Sequence, residues 1–371
     1  MRGTFRAAVA LSALALLAAG CGSSKSGNGS STSSTPSAAA GGLTACMVVD
    51  TGGVDDKSFN QGAWEGFQQA QKADPSIQIK NLPSSSSSDY AKNITTFENE
   101  KCGLIVTVGF NMASATEAAA KVSPSQKFAI VDCSYASGCL KGKKVNSIDQ
   151  LTYNTVQDAF LAGYLAAGVS KTGKVATYGG EQFGTVTIYE DGFWDGVQYY
   201  NQKHGTHVQV LGWNYKTQKG VFAGSFTNLG AGQQIANTFI SEGADIIFPV
   251  AGGVGVGTAK AIQTADSQGK NVNMMWVDTD GCLSLPTYCK YIITTVEKGI
   301  TLSVKGAILS AAHGTFKGGS YVGTLSNGGA VLAPFHAPWN TQVPTSLQNE
   351  LKSLQQKIIS GQISPATKSP V

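Results

Sequence analysis

From residue 43 onward the chain repeats one pattern: a short apolar run, a polar turn rich in Gly and Asp, then a longer stretch with apolar residues three and four apart. The apolar runs at 45–49, 78–82, 104–108, 127–131, 174–178, 208–213, 245–250, 272–277 and 291–296 predict strands. The stretches at 58–72, 89–99, 152–169, 189–203, 232–242, 258–268, 301–313 and 345–360 predict amphipathic helices. In the first of these, Phe59, Ala63, Phe67 and Ala70 fall on one face, and Ser58 with Gln61 predicts a capping box. Strands apolar along their whole length, alternating with helices, imply parallel sheets covered on both faces: an α/β fold. The pattern runs in two comparable series, 45–131 and 174–277, which implies two doubly wound lobes. The expected division is lobe 1 at 43–150, with 277–298 returning to it, and lobe 2 at 151–276, with 299–371 mostly joining it. A length of 371 residues fits two domains with an appended segment.

The appended segment is N-terminal. Arg2 and Arg6 precede an apolar run from Ala7 to Ala19, too short to span a bilayer, so residues 1–21 read as a signal peptide. It ends in Leu17-Ala18-Ala19-Gly20-Cys21, which resembles a bacterial lipobox with Cys21 as the lipidated residue. Residues 22–42 are dominated by Gly and Ser and predict a flexible tether. The expected location is therefore extracytoplasmic, on the outer face of the cell membrane. Six cysteines remain: Cys46, Cys102, Cys133, Cys139, Cys282 and Cys289. An even count in an exported chain suggests disulfides, although six allow 15 pairings. Cys133–Cys139 and Cys282–Cys289 would each close a small loop after a strand, leaving Cys46–Cys102 to bridge neighbouring strands. No cysteine or histidine has zinc-site spacing, so no metal is expected. With Lys plus Arg 27 against Asp plus Glu 23, the net charge of +4 makes no basic stripe, and nucleic acid is not an expected partner.

Ligands of doubly wound sheets bind beyond the carboxyl ends of the strands. Asp50 ends the first run, followed by Gly52 and Gly53, with Phe59 and Asn60 opening the next helix. Asp50, Phe59 and Asn60 are taken as ligand-binding, whereas Asp55 and Asp56 suit helix capping. Asp132 and Asp278 likewise end strands, where carboxylates suit vicinal hydroxyls. The run 245–250 leads into Gly252, Gly253, Gly255 and Gly257, a poor match to a dinucleotide fingerprint but suited to close approach of a small ligand. Lys298 is the lone cation among these candidates. The histidines, His204, His207, His313 and His336, lie away from the strand-end acids, and no GxSxG, HExxH or P-loop occurs. No enzyme activity and no cofactor are expected. The aspartates near the first strand lack the spacing of the nucleoside hydrolase calcium cluster.

Eight segments together resemble the basic membrane protein family of substrate-binding lipoproteins of ABC transporters, whose members include purine nucleoside receptors. They are DTGGVDDKSFNQGAWEGFQQA (50–70), LIVTVGF (104–110), FAIVD (128–132), AFLAGYLAA (159–167), DGFWDGV (191–197), GSFTN (224–228), DIIFPVAGGVGVGT (245–258) and WVDTD (276–280). The resemblance implies a type I periplasmic-binding-protein fold, two lobes joined by three crossovers. It implies a nucleoside, in the first instance a purine nucleoside, with Phe59 and Phe226 stacking on the base and Asp50 and Asn60 reading it. Asp132, Gly252, Asp278 and Lys298 would hold the ribose. The implied partners are ABC permease subunits and the lipid anchor, the protein itself being a monomer. A sugar or other small polar ligand is the alternative within the same fold, and a secreted nucleoside hydrolase the alternative outside it. Asn228 stands where the family usually has Asp, and Gly281 where it often has Gln.

Overall fold

The computed structural model describes residues 42–140, 145 and 147–369. The expectations for the signal peptide, for Cys21 and for the tether up to residue 41 fall outside these residues. In chain order the strands are β1 (Thr44–Val49), β2 (Gln78–Pro83), β3 (Leu104–Val108), β4 (Phe128–Val131), β5 (Ile148–Tyr153), β6 (Lys174–Gly179), β7 (Gln209–Leu211), β8 (Trp213–Asn214), β9 (Lys219–Gly220), β10 (Ile246–Val250), β11 (Asn273–Asp278), β12 (Ile292–Lys298), β13 (Gly319–Gly323) and β14 (Ala330–Leu332). They form two six-stranded sheets, β13-β5-β4-β3-β1-β2 and β14-β12-β11-β10-β6-β7, and β8 pairs with β9 in a separate hairpin. All pairings in the first sheet are parallel; in the second only β12–β14 is antiparallel. The architecture is the expected type I periplasmic-binding-protein fold.

The central strands are mostly apolar because helices cover both faces of each sheet. β3 and β10 are buried at every position. Phe67, Val106 and Val304 share one core in lobe 1, and Phe160, Phe193 and Phe248 share one in lobe 2. Each such side chain contributes about 1.5–3 kcal/mol by leaving water. The AFLAGYLAA and DGFWDGV segments lie on helices Val156–Val169 and Gly184–His204. They pack so tightly that a Cβ on Gly163 would lie 2.0 Å from Phe193 O, and one on Gly196 2.0 Å from Phe160 O. These segments are a packing seam of lobe 2.

The lobe boundaries differ from the expected ones. Residues 277–298 do not return to lobe 1: β11 and β12 are interior strands of the second sheet. The return is made by helix Ile300–Ala312, which packs into the lobe 1 core, and by β13, which pairs with β5. The chain then crosses back to β14, giving three crossings between the sheets. β13 is an edge strand of alternating exposure, reading GSYVG, and carries none of the apolar signal of a buried strand. The expected strand at 208–213 is split into β7 and β8 at Gly212, whose φ of 85° turns the chain away from the sheet.

The structure joins Cys46 to Cys102, Cys133 to Cys139 and Cys282 to Cys289, the expected pairs. No described helix is long and apolar enough to cross a membrane.

Candidate functional site

The strand ends of both sheets face a cleft of about 640 Å³, mouth included. Asp50, Phe59, Asn60, Asp132, Phe226, Gly252, Asp278 and Lys298, all expected from the sequence, line it.

The first corner is built by the turn after β1. Asp56, not Ser58, caps helix Phe59–Ala73: its carboxylate accepts from the backbone N–H groups of Ser58, Asn60 and Gln61 at 3.0, 2.9 and 3.0 Å. The expected Ser58–Gln61 capping box is therefore absent. Ser58 Oγ instead reaches the other lobe, donating to Asp278 Oδ2 at 2.6 Å and lying 3.2 Å from Val277 O. Asp55 pairs with Lys57 outside the cleft. Asn60 donates from Nδ2 to Asp50 Oδ1 at 3.3 Å, while its Oδ1 is buried with no partner. Gly109, at φ 112°, leaves room for this carboxylate, since a Cβ there would lie 2.2 Å from Asp50 Oδ2.

Burial raises the Asp50 carboxyl to about 8; the Asn60 hydrogen bond opposes this, and neighbouring Asp56, Glu181 and Asp132 add to it. Asp56 is pushed up to about 6, mainly by burial, although its three backbone donors favour the charged form. A neutral Asp50 carboxyl can donate as well as accept, so its protonation state decides which ligand edge it reads.

The second corner lies where the lobes cross. Asp132, just after β4, and Asp278, the last residue of β11, hold equivalent positions in the two sheets. Both have left-handed backbone, φ 67° and 69°. Aspartate tolerates this region better than most residues, yet such strain persists only where surrounding structure enforces it. Lys298 Nζ, at the end of β12, donates to Asp132 Oδ2 at 2.7 Å, and both side chains are buried. Burial raises the Asp132 carboxyl, opposed by Lys298 and by a hydrogen bond from Thr185. The ammonium also sits 5.3 Å from the Phe59 ring centroid and 5.1 Å from that of Tyr189. Tyr189 OH donates to Asp278 Oδ1 at 3.1 Å. Each aspartate is thus gripped from the opposite lobe or from both.

Phe110, Asn111, Phe183, Thr185 and Tyr189 line the cleft without having been anticipated. Phe110 stacks on Phe183 across the lobes, with centroids 4.7 Å apart, and Phe183 on Phe226 at 6.2 Å. Phe110 directly follows β3 and Gly109, so the strand-end rule already pointed to it. Phe183, Thr185 and Tyr189 belong to a helix start whose β-branched Thr-Val-Thr-Ile run hid it. The glycines after β10 divide their work. Gly252 lines the cleft, whereas Gly255 and Gly257 serve packing, a Cβ on them meeting Trp276 at 2.6 Å and Leu229 O at 2.0 Å. His336 Nε2 lies 2.6 Å from Asp280 Oδ2, in the turn two residues past Asp278. Cys282 beside this pair is committed to Cys289, so it supplies no thiolate for a metal.

Two doubly wound lobes with acids, an amide and aromatic faces converging between them define a solute-binding protein of the periplasmic type. Residues 43–368 match the family model described as ABC transporter substrate-binding protein PnrA-like (Bmp), and the chain belongs to that family. It is similar to the ABC transporter nucleoside-binding protein BmpA of Lactococcus lactis, 30% identical over 97% of both chains. It is also similar to the CD4+ T-cell-stimulating antigen of Listeria monocytogenes, 30% identical over 86% of this chain and 87% of that one. Among solved structures, an ABC transporter solute-binding protein from Aeropyrum pernix K1 superposes with a TM-score of 0.77, at 23% identity, over 88% of this chain and 94% of that one. The chain is an ABC transporter substrate-binding protein.

Proposed function

We propose that the protein captures a purine nucleoside between its lobes and delivers it to an ABC importer, tethered to the outer face of the membrane through a lipid on Cys21. The observation that carries the ligand assignment is the pairing at the first corner: Asp50 beside an Asn60 whose amide oxygen is buried and unpartnered. A buried acceptor left open costs about 1–3 kcal/mol, which a ligand N–H would recover. A purine edge carries donors and acceptors side by side, and its faces suit Phe59 from one lobe and Phe226 from the other. Asp132, Asp278 and Lys298 then hold the ribose hydroxyls, with charge-assisted hydrogen bonds to the carboxylates. The similarity to a relative named as nucleoside-binding supports the same reading.

In this proposal the cleft binds its ligand without turning it over: Asp132 is held by Lys298, Asp278 by Ser58 and Tyr189, and Asp56 caps a helix. Mass spectrometry of small molecules released by denaturing the purified protein tests the ligand class. A purine nucleoside is expected, and a pentose or hexose alone would overturn the purine assignment.

A further inference from the structure

We infer that the two short disulfides are positioning devices of the cleft, holding Asp132 and Asp278 in the left-handed conformation in which they face the ligand. The inference rests on the reading of the cleft as a ligand site. Cys133 directly follows Asp132 and closes a loop with Cys139, six residues on. Cys282 follows Asp278 by four residues and closes a loop with Cys289, seven residues on. The two lobes thus carry the same device: a strand, a left-handed aspartate at its end, and a stapled turn beyond it.

Loops this short remove only a little over half as much entropy from the unfolded chain as the Cys46–Cys102 bridge with its separation of 56. Their consequence is local. Cys133 is fully buried, so the bond fixes the chain immediately after Asp132, while the Asp132 N–H is held by Leu151 O at 2.8 Å before it. In the other lobe Asp280 Oδ1 accepts from Cys282 N at 2.9 Å and the Gly281 N–H donates to Thr295 Oγ1 at 2.9 Å, tying the stapled turn to β12. A non-glycine residue relaxes out of the left-handed region when its surroundings permit. For Asp132 that relaxation would withdraw one partner of the buried ion pair that joins the lobes. The Cys46–Cys102 bridge serves as an internal control. Cys46 lies four residues before Asp50 on β1, about 13 Å along the strand from the cleft.

The test compares three double variants, C133A/C139A, C282A/C289A and C46A/C102A, by calorimetric titration with guanosine and by amide hydrogen exchange without ligand. The first two should lose about five- to thirtyfold in guanosine affinity, the loss expected when one left-handed residue must be re-ordered on binding. Exchange should quicken in the segment that contains Asp132 or Asp278, respectively. C46A/C102A should lower the melting temperature while leaving affinity within twofold of wild type. Wild-type affinity together with unchanged local exchange in C133A/C139A and C282A/C289A would overturn the inference. If one variant does not fold, the other decides. If the wild-type protein binds no nucleoside, the ligand reading fails, and the exchange measurement alone decides the positioning role.

Discussion

The protonation of Asp50 gives the sharpest prediction about what the cleft holds. Its carboxyl is raised to about 8 because it is buried among other acids, a rise that the hydrogen bond from Asn60 only partly opposes. The ionised fraction is then ~1% at pH 6, ~10% at pH 7 and ~50% at pH 8. A ligand that donates an N–H to Asp50, as N1–H of guanosine or inosine would, selects the ionised form. Its affinity should therefore rise roughly fiftyfold between pH 6 and pH 8, with release of a proton on binding. Adenosine offers an acceptor at N1, selects the protonated form, and should weaken by no more than about twofold over the same range. Asp50→Asn should remove most of the pH dependence for guanosine, which separates Asp50 from Asp56, raised only to about 6. The same shift has a consequence for the ligand-free protein. The folded value lies above the unfolded one, so the contribution of this group to stability is complete below about pH 4. It is lost as pH rises through about 8. Asp50→Asn should accordingly raise the ligand-free melting temperature at pH 8, by about 4 °C or more. Titrations at pH 6, 7 and 8 in two buffers of different ionisation enthalpy provide the assay. A guanosine affinity that is flat from pH 6 to pH 8, with no proton released, would refute the role of Asp50.

Three further outcomes are expected. Phe59→Ala and Phe226→Ala should each weaken nucleoside binding by about 5- to 150-fold, the scale of a base stacked on an aromatic ring, read by calorimetry; losses under twofold would remove them from the base site. Asp278→Ala should cost a ribonucleoside much more than the free base, because the ribose alone touches it in this reading; equal penalties for guanosine and guanine would contradict that assignment. Cys21→Ala should release the protein from membranes without changing ligand affinity, and undiminished membrane retention in cell fractionation would exclude the anchor.

Much of this site is legible in the chain because the rule that finds it is simple. A strand buried on both faces announces itself as an apolar run, and the residue that ends it must face the cleft. Asp50, Asp132 and Asp278 follow directly from that rule, Gly252 lies just beyond β10, and Lys298 is the last residue of β12. What the chain hides is whatever depends on the second lobe. Nothing local marks Ser58 as the donor to Asp278, since a serine before a helix reads equally well as its cap, and the Asp56 that does cap it sits where several acids compete. Phe183 and Tyr189 are masked because a helix that opens with β-branched residues lacks the usual periodic signal, although burial against β10 compensates for their propensity. The return of residues 300–323 to lobe 1 is equally silent. β13 covers a sheet edge with a half-exposed, glycine-bounded strand, and only its pairing with β5 reveals where it belongs.

The central claim is that this cleft holds a purine nucleoside and releases it unchanged. Calorimetric titration of protein freed of bound ligand by unfolding and refolding tests it most directly, with guanosine, inosine, adenosine, ribose and arabinose as ligands and the recovered ligand identified by mass spectrometry. One purine nucleoside bound per chain, recovered intact, with far weaker binding of the pentoses, is the predicted result. Tight binding of a pentose with no response to any nucleoside, or recovery of free base and ribose, would contradict it.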